Sequence, residues 1–122
     1  MTLYKKRFGK KGEEIAADYL IDNGFDIIDE NFRSKFGEID IVAQKDKKLF
    51  FVEVKTRSNL KRGMPYEAVN KRKIRQIKKA ATYYLLENNK YKDCKYAISV
   101  ISILMKDGTV DKLQFFENVD LW

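Results

Sequence analysis

Residues 37–55 read GEIDIVAQKDKKLFFVEVK, and reading them as two strands joined by a polar turn organises the rest of the chain. Gly37 to Ala43 and Leu49 to Thr56 are rich in β-branched and aromatic residues, whereas Gln44 to Lys48 between them is polar. Side chains alternate along a strand, so Glu38 and Asp40 share one face, as do Glu53 and Lys55. A turn centred between Asp46 and Lys47 sets Asp40 opposite Glu53 and Glu38 opposite Lys55. Two carboxylates facing each other at about 5 Å repel. A divalent cation between them removes that penalty, and an oxygen-only site completed by water and substrate phosphate suits Mg²⁺ or Mn²⁺. Lys55 adds the positive charge that phosphodiester hydrolysis needs on its developing anion. The same residues also admit a plainer arrangement, a solvated strand face with Glu38 and Lys55 as a cross-strand ion pair.

Outward from this hairpin, Ile15, Ala16, Tyr19 and Leu20 recur at helical spacing, predicting a first helix from Phe8 to Asn23 that stops at Asn23 and Gly24. Phe25 to Phe32 reads as a strand. Glu13 falls on or beside the small, apolar stripe of the helix, where a carboxylate either meets a cation, approaches the hairpin site, or serves as a first-turn acid. Pro65 followed by Val69, Ile74, Ile77, Ala81, Tyr84 and Leu85 predicts one long second helix ending near Asn88 and Asn89. Tyr96 to Leu104 and Val110 to Phe116 read as a second hairpin around Asp107 and Gly108. The order is α, β, β, β, α, β, β, and a right-handed crossover through the second helix sets strand Tyr96 to Leu104 parallel to a strand of the first set. The expectation is a mixed α/β sheet flanked by helices, with residues 1–122 forming one domain.

Composition narrows the chemistry. The 122 residues contain no His and one Cys, Cys94, which excludes Ser–His–Asp hydrolysis, histidine-ligated zinc and a disulfide framework. Any catalysis falls to carboxylates, lysines and a hard cation. With 25 Lys and Arg against 18 Asp and Glu, the net charge of +7 favours polyanionic partners. Lys71, Lys73, Arg75 and Lys78 of the second helix, with Arg57 in the basic loop before it, are the candidate nucleic-acid contacts, and Lys73 points nearest the carboxylates. A solvated helix face is the alternative for that stripe. No apolar run is long enough for a membrane span, and the basic start lacks the apolar stretch of a signal peptide, so a cytoplasmic protein is expected.

Glu13, the Gly37 to Asp40 stretch, and Phe51 to Lys55 followed by Thr56 and Arg57 together resemble the YraN family of uncharacterised bacterial proteins, over about Lys10 to Leu104. That family resembles the restriction-endonuclease fold and is similar to archaeal Holliday junction resolvases. The resemblance implies Asp40 and Glu53 as metal ligands, Lys55 as the catalytic lysine, Glu13 as the first-helix acid of the resolvase pattern, and Lys73 as a basic position of the second helix. It departs at Lys95, Tyr96 and Ala97, where members often show Arg, Phe and Asp. The expected activity is metal-dependent cleavage of DNA, ahead of RNA, with branched DNA as a candidate substrate. Cutting two symmetric strands would call for a homodimer. A non-catalytic nucleic-acid-binding module on the same fold is the alternative, and glycoside hydrolysis fits the adjacent lysine poorly.

Overall fold

Asp46 and Lys47 adopt left-handed backbone angles, with φ of 51° and 64°, and so form the primed two-residue turn whose twist matches a hairpin. That turn fixes the register of β2 (Gly37–Lys45) against β3 (Lys48–Arg57), with Lys45 facing Lys48 and Ile41 facing Val52. The computed structural model describes residues 3–122. It adds α1 (Leu3–Asp22), β1 (Asp26–Ser34), α2 (Lys71–Glu87), β4 (Lys95–Lys106) and β5 (Thr109–Phe116). The strands form one mixed sheet in the order β1-β2-β3-β4-β5, antiparallel throughout except for the parallel β3–β4 pair that the α2 crossover joins. This is a restriction-endonuclease-like αβββαββ architecture.

Each helix covers one face. On one side Ala16 and Leu20 of α1 pack with Phe25, Phe50, Val52, Ala97 and Ile101. On the other, Ile74, Ile77, Ala81 and Tyr84 of α2 pack with Val42, Phe51, Ile98 and Val100. β3 and β4 are therefore covered on both faces and read as near-continuous apolar runs, as a parallel pair requires. Phe115 joins the α1 side through Phe25, while Phe116, Trp122 and Tyr66 form an aromatic cluster on the α2 side, with ring centroids 5.1 Å apart for both Tyr66–Phe116 and Phe116–Trp122.

Two sequence expectations need correction. The second helix does not start at Pro65. Pro65–Ala68 is a short 3₁₀ turn, the chain runs extended at Val69, and Asn70 restarts the helix by accepting a 2.9 Å hydrogen bond from the Lys73 N–H. Val69 is buried in the core, so it continues the apolar pattern across the break and hides it from a periodicity reading. The first helix begins earlier than Phe8, at Leu3, and ends where Gly24, at φ 85°, lets Phe25 N–H return to Leu20 O at 2.9 Å.

At Gly12, α1 lies tightly against Thr56 of the sheet. A Cβ there would collide with the Thr56 hydroxyl of β3 and lie 3.2 Å from the Thr56 Cβ, so rotating the hydroxyl away still leaves a tight contact. Gly12→Ala should therefore destabilise the fold by about 1–2 kcal/mol, overpacking outweighing the helix propensity gained. Urea unfolding would check this; equal or higher stability would mean that α1 does not sit this close.

Candidate active site

Beyond Ile41 and Val52 the β2–β3 ladder ends, although the register continues toward Asp40 and Glu53. The cause is Asp40. Its Oδ2 accepts a 2.8 Å hydrogen bond from the Val54 N–H, so a side chain takes the acceptor role that a strand carbonyl would otherwise fill. The strands open there into a fork. The alternative reading's cross-strand ion pair of Glu38 with Lys55 is absent from the ion pairs of the described residues; Lys55 turns instead to Glu53 on its own strand.

Glu53 is the centre of the fork, a carboxylate only 4% exposed. Lys55 Nζ stands 3.6 Å and Lys73 Nζ 3.7 Å from the same oxygen, Oε1. Lys73 arrives from the third position of α2, where the Asn70 cap fixes the first turn. Burial, reinforced by the neighbouring Asp40, raises Glu53 to about 7 despite the two ammoniums. Burial likewise raises Asp40, against the opposing Val54 hydrogen bond.

Glu13 reaches the fork from α1. Desolvation raises its pKa to about 7, with Asp40 and Glu38 adding to the effect. Asn31 of β1 lies between these acids, and with its amide nitrogen turned toward them it donates to Glu13 Oε1 at 2.8 Å and Glu38 Oε1 at 3.0 Å. Asn31 occupies a left-handed backbone position, φ 54°, between the paired residues Glu30 and Phe32. It is the site residue that the sequence reading missed. A poor β-former that tolerates φ above zero, inside an otherwise β-rich run, was the signal available.

The fork thus gathers Glu13, Glu38, Asp40 and Glu53 with Lys55 and Lys73. Fully ionised, these groups carry an excess of two negative charges, the charge of one divalent cation. Among the described residues no three acidic, Cys or His side chains converge as a ready metal cage. A cation here would rest on two carboxylates, with water and substrate oxygens completing its shell, which is how Mg²⁺ is commonly held. Asp40 and Glu53 would be the residues to hold it, with Val54 fixing the Asp40 carboxylate and the two lysines beside Glu53.

The remaining candidates lie outside the fork. Arg57, at the end of β3, donates to the Thr56 carbonyl at 3.1 Å. Lys71 and Arg75 are exposed on α2 and line a depression with the chain's last residues, Asp120 to Trp122. Lys78, on the same face, is held by Asp120 at 2.9 Å and so is partly neutralised. Ala97, where the resemblance often shows Asp, is buried opposite Phe50 on the α1 side. Glu53 pairs with Val100, whose side chain lies on the α2 side with Lys73, so an acid at position 97 would be on the other face of the sheet from that lysine.

A carboxylate and lysine fork in a five-strand mixed sheet defines an α/β domain of the restriction-endonuclease-like class. The chain belongs to the uncharacterised protein family UPF0102, the YraN family, whose model matches residues 12–103 and so spans every residue of the fork. It is 46% identical over 106 residues to a UPF0102 protein of Caldicellulosiruptor bescii, covering 84% of this chain and 86% of the relative. A UPF0102 protein of Syntrophomonas wolfei is 44% identical, with coverage of 84% and 89%. One from Campylobacter fetus is also 44% identical and covers 98% of both chains.

The raised Glu53 pKa has a stability consequence. The unfolded chain loses this proton near 4.5 while the folded chain keeps it to about 7, so the site costs nothing below pH 4.5 and its full penalty is present only above pH 7. Glu53→Gln should gain stability relative to the native protein as pH rises through that window, by an amount on the order of 2–3 kcal/mol. Urea midpoints for both proteins at pH 4.5, 6 and 8 would check this; a constant difference would place Glu53 at its ordinary pKa.

Proposed function

We propose that this protein is a divalent-metal-dependent nuclease that hydrolyses phosphodiesters at the β2–β3 fork, with DNA as the preferred polymer. The observation that carries the reading is the meeting of Lys55 and Lys73 at one oxygen of a buried Glu53, beside an Asp40 that holds the sheet open. A structural ion pair needs one cation, whereas this fork supplies two lysines and still holds more acid than base.

The residues divide the work. Asp40 and Glu53 would hold Mg²⁺ or Mn²⁺, which when bound supplies positive charge and lowers the pKa of water. Lys55 and Lys73 are 28% and 33% exposed at their side chains, open enough to receive the phosphate oxygens and stabilise the charge that develops on them. Glu13, raised to about 7, is poised to take a proton from the attacking water near neutral pH. The water oxygen bonds to phosphorus as the bond to the leaving oxygen breaks, and that oxygen takes up a proton from solvent water. Lys71 and Arg75 extend the positive surface along α2 for the flanking backbone. No helix among the described residues is long and apolar enough to cross a membrane.

The test is cleavage of duplex, single-stranded and four-way-junction DNA with Mg²⁺, Mn²⁺ or EDTA. Cutting should need metal, and Asp40→Ala and Lys55→Ala should each lower it by at least about a hundredfold while binding persists. Equal cutting by the variants would overturn the assignment. Binding without cutting under every metal would instead identify a nucleic-acid-binding module that keeps the fold.

A further inference from the structure

The tight turn between β1 and β2 projects Phe36 against the second half of α2, where it meets Tyr83 with ring centroids 6.2 Å apart. Phe32 lies beneath, 6.3 Å from Tyr83. These rings are not closed over. Phe36 is 37%, Tyr83 36% and Leu86 77% exposed, and they line a depression of about 330 Å³ together with Lys35, Lys79 and Thr82. Lys35 Nζ sits 5.2 Å from the centre of the Phe36 ring. Three exposed large apolar side chains in one place, with a lysine on either side, differ from the scattered single residues of an ordinary surface.

The place of this patch matters as much as its content. Lys73, Gln76, Ala80 and Tyr83 follow one another at three- and four-residue steps along one side of α2, and Gln76 lies beside Gly37 at the start of β2. Tyr83 is ten residues beyond Lys73, about 15 Å along a helix. Phe36 is four residues before Asp40, about 13 Å along a strand. Both routes end at the fork. At about 3.4 Å per stacked nucleotide, the separation is roughly four nucleotides of one strand, fewer if the strand is stretched.

We infer that Phe36 and Tyr83, flanked by Lys35 and Lys79, are a stacking subsite for an unpaired nucleobase of the strand that enters the fork. The inference rests on the nuclease reading and narrows its substrate to nucleic acid with a single-stranded stretch beside the cut, such as a flap or an open fork. Bases inside a duplex have both faces covered and cannot reach such rings, whereas an unpaired base offers a flat π-face to them. The lysines suit the phosphates on either side of that base. They also disfavour a second copy of this chain as the occupant, because a self-complementary contact through this face would crowd lysine against lysine in a protein of net charge +7.

Binding in EDTA, measured by fluorescence anisotropy with a single-stranded oligonucleotide and a blunt duplex, separates this inference from catalysis. Phe36→Ala and Tyr83→Ala should each weaken single-strand binding about tenfold, leave duplex binding unchanged, and leave an inserted fluorescent adenine analogue unquenched. Phe36→Trp, which keeps a ring, should bind as tightly as the native protein or more so, and thermal melts confirm that each variant is folded. Equal loss on single strand and duplex, or no loss on either, overturns the subsite even where the native protein cleaves DNA. A native dimer that Phe36→Ala dissociates in sedimentation velocity overturns it in favour of a second copy. Failure of the native protein to bind any nucleic acid overturns the nuclease reading and the subsite together.

Discussion

Everything at the centre of this molecule follows from one hydrogen bond, the 2.8 Å contact from the Val54 N–H to the Asp40 carboxylate. In a continued antiparallel ladder the residue opposite would answer Val54 through its backbone. Here a side chain does so, and the two strands part while both remain inside the sheet. A hydrogen bond to an ionised acceptor is among the stronger ones that a protein makes, which lets a short polar group stand in for a stretch of backbone pairing. The opening this leaves is walled by β2 and β3, by the Gly12 end of α1, and by the capped first turn of α2.

The fork then has to solve an electrostatic problem. Glu53 is buried, Asp40 is close enough to raise it, and Glu13 and Glu38 add negative charge from α1 and β2. Two lysines offset part of this, and Asn31 offsets more by donating to both Glu13 and Glu38 at the cost of a left-handed backbone. The balance remains acidic, and protonation of Glu13 and Glu53 near neutral pH relieves it. A divalent cation held there, as the proposed function requires, would compete with the proton for the same carboxylates, and its affinity would then depend on pH. The hydrophobic sheet beneath, packed on both sides by α1 and α2, is what keeps water from settling the matter by solvation.

How much of this was legible in the sequence depends on the range of the interactions involved. The turn at Asp46 and Lys47 is local, so the register that aims Asp40 at Glu53 follows from the spacing of residues 37–55. The parallel β3–β4 pair follows from the crossover rule, and Lys73 is oriented toward the fork by helical periodicity alone. What the sequence conceals is where a pattern continues across a change of backbone. Val69 stays buried through the break between the 3₁₀ turn and α2, so the helix looked continuous, and only the cap at Asn70 marks its true start. Likewise the ladder's end at Ile41 and Val52 comes from a side chain replacing a backbone group, which strand periodicity has no means to register. Asn31 acts across three elements, and its neighbours in sequence give no hint of Glu13 or Glu38.

With the proposed function, the buried Glu53 carboxyl takes up either a proton or a divalent cation, and the two compete for one place. Carbon-detected NMR titration of the Glu53 carboxyl, without and with Mg²⁺, reads that competition at the atom concerned. The expected midpoint is near 7, and with the proposed metal site it falls when Mg²⁺ is added. A midpoint at the ordinary 4.5, unmoved by Mg²⁺, would contradict it.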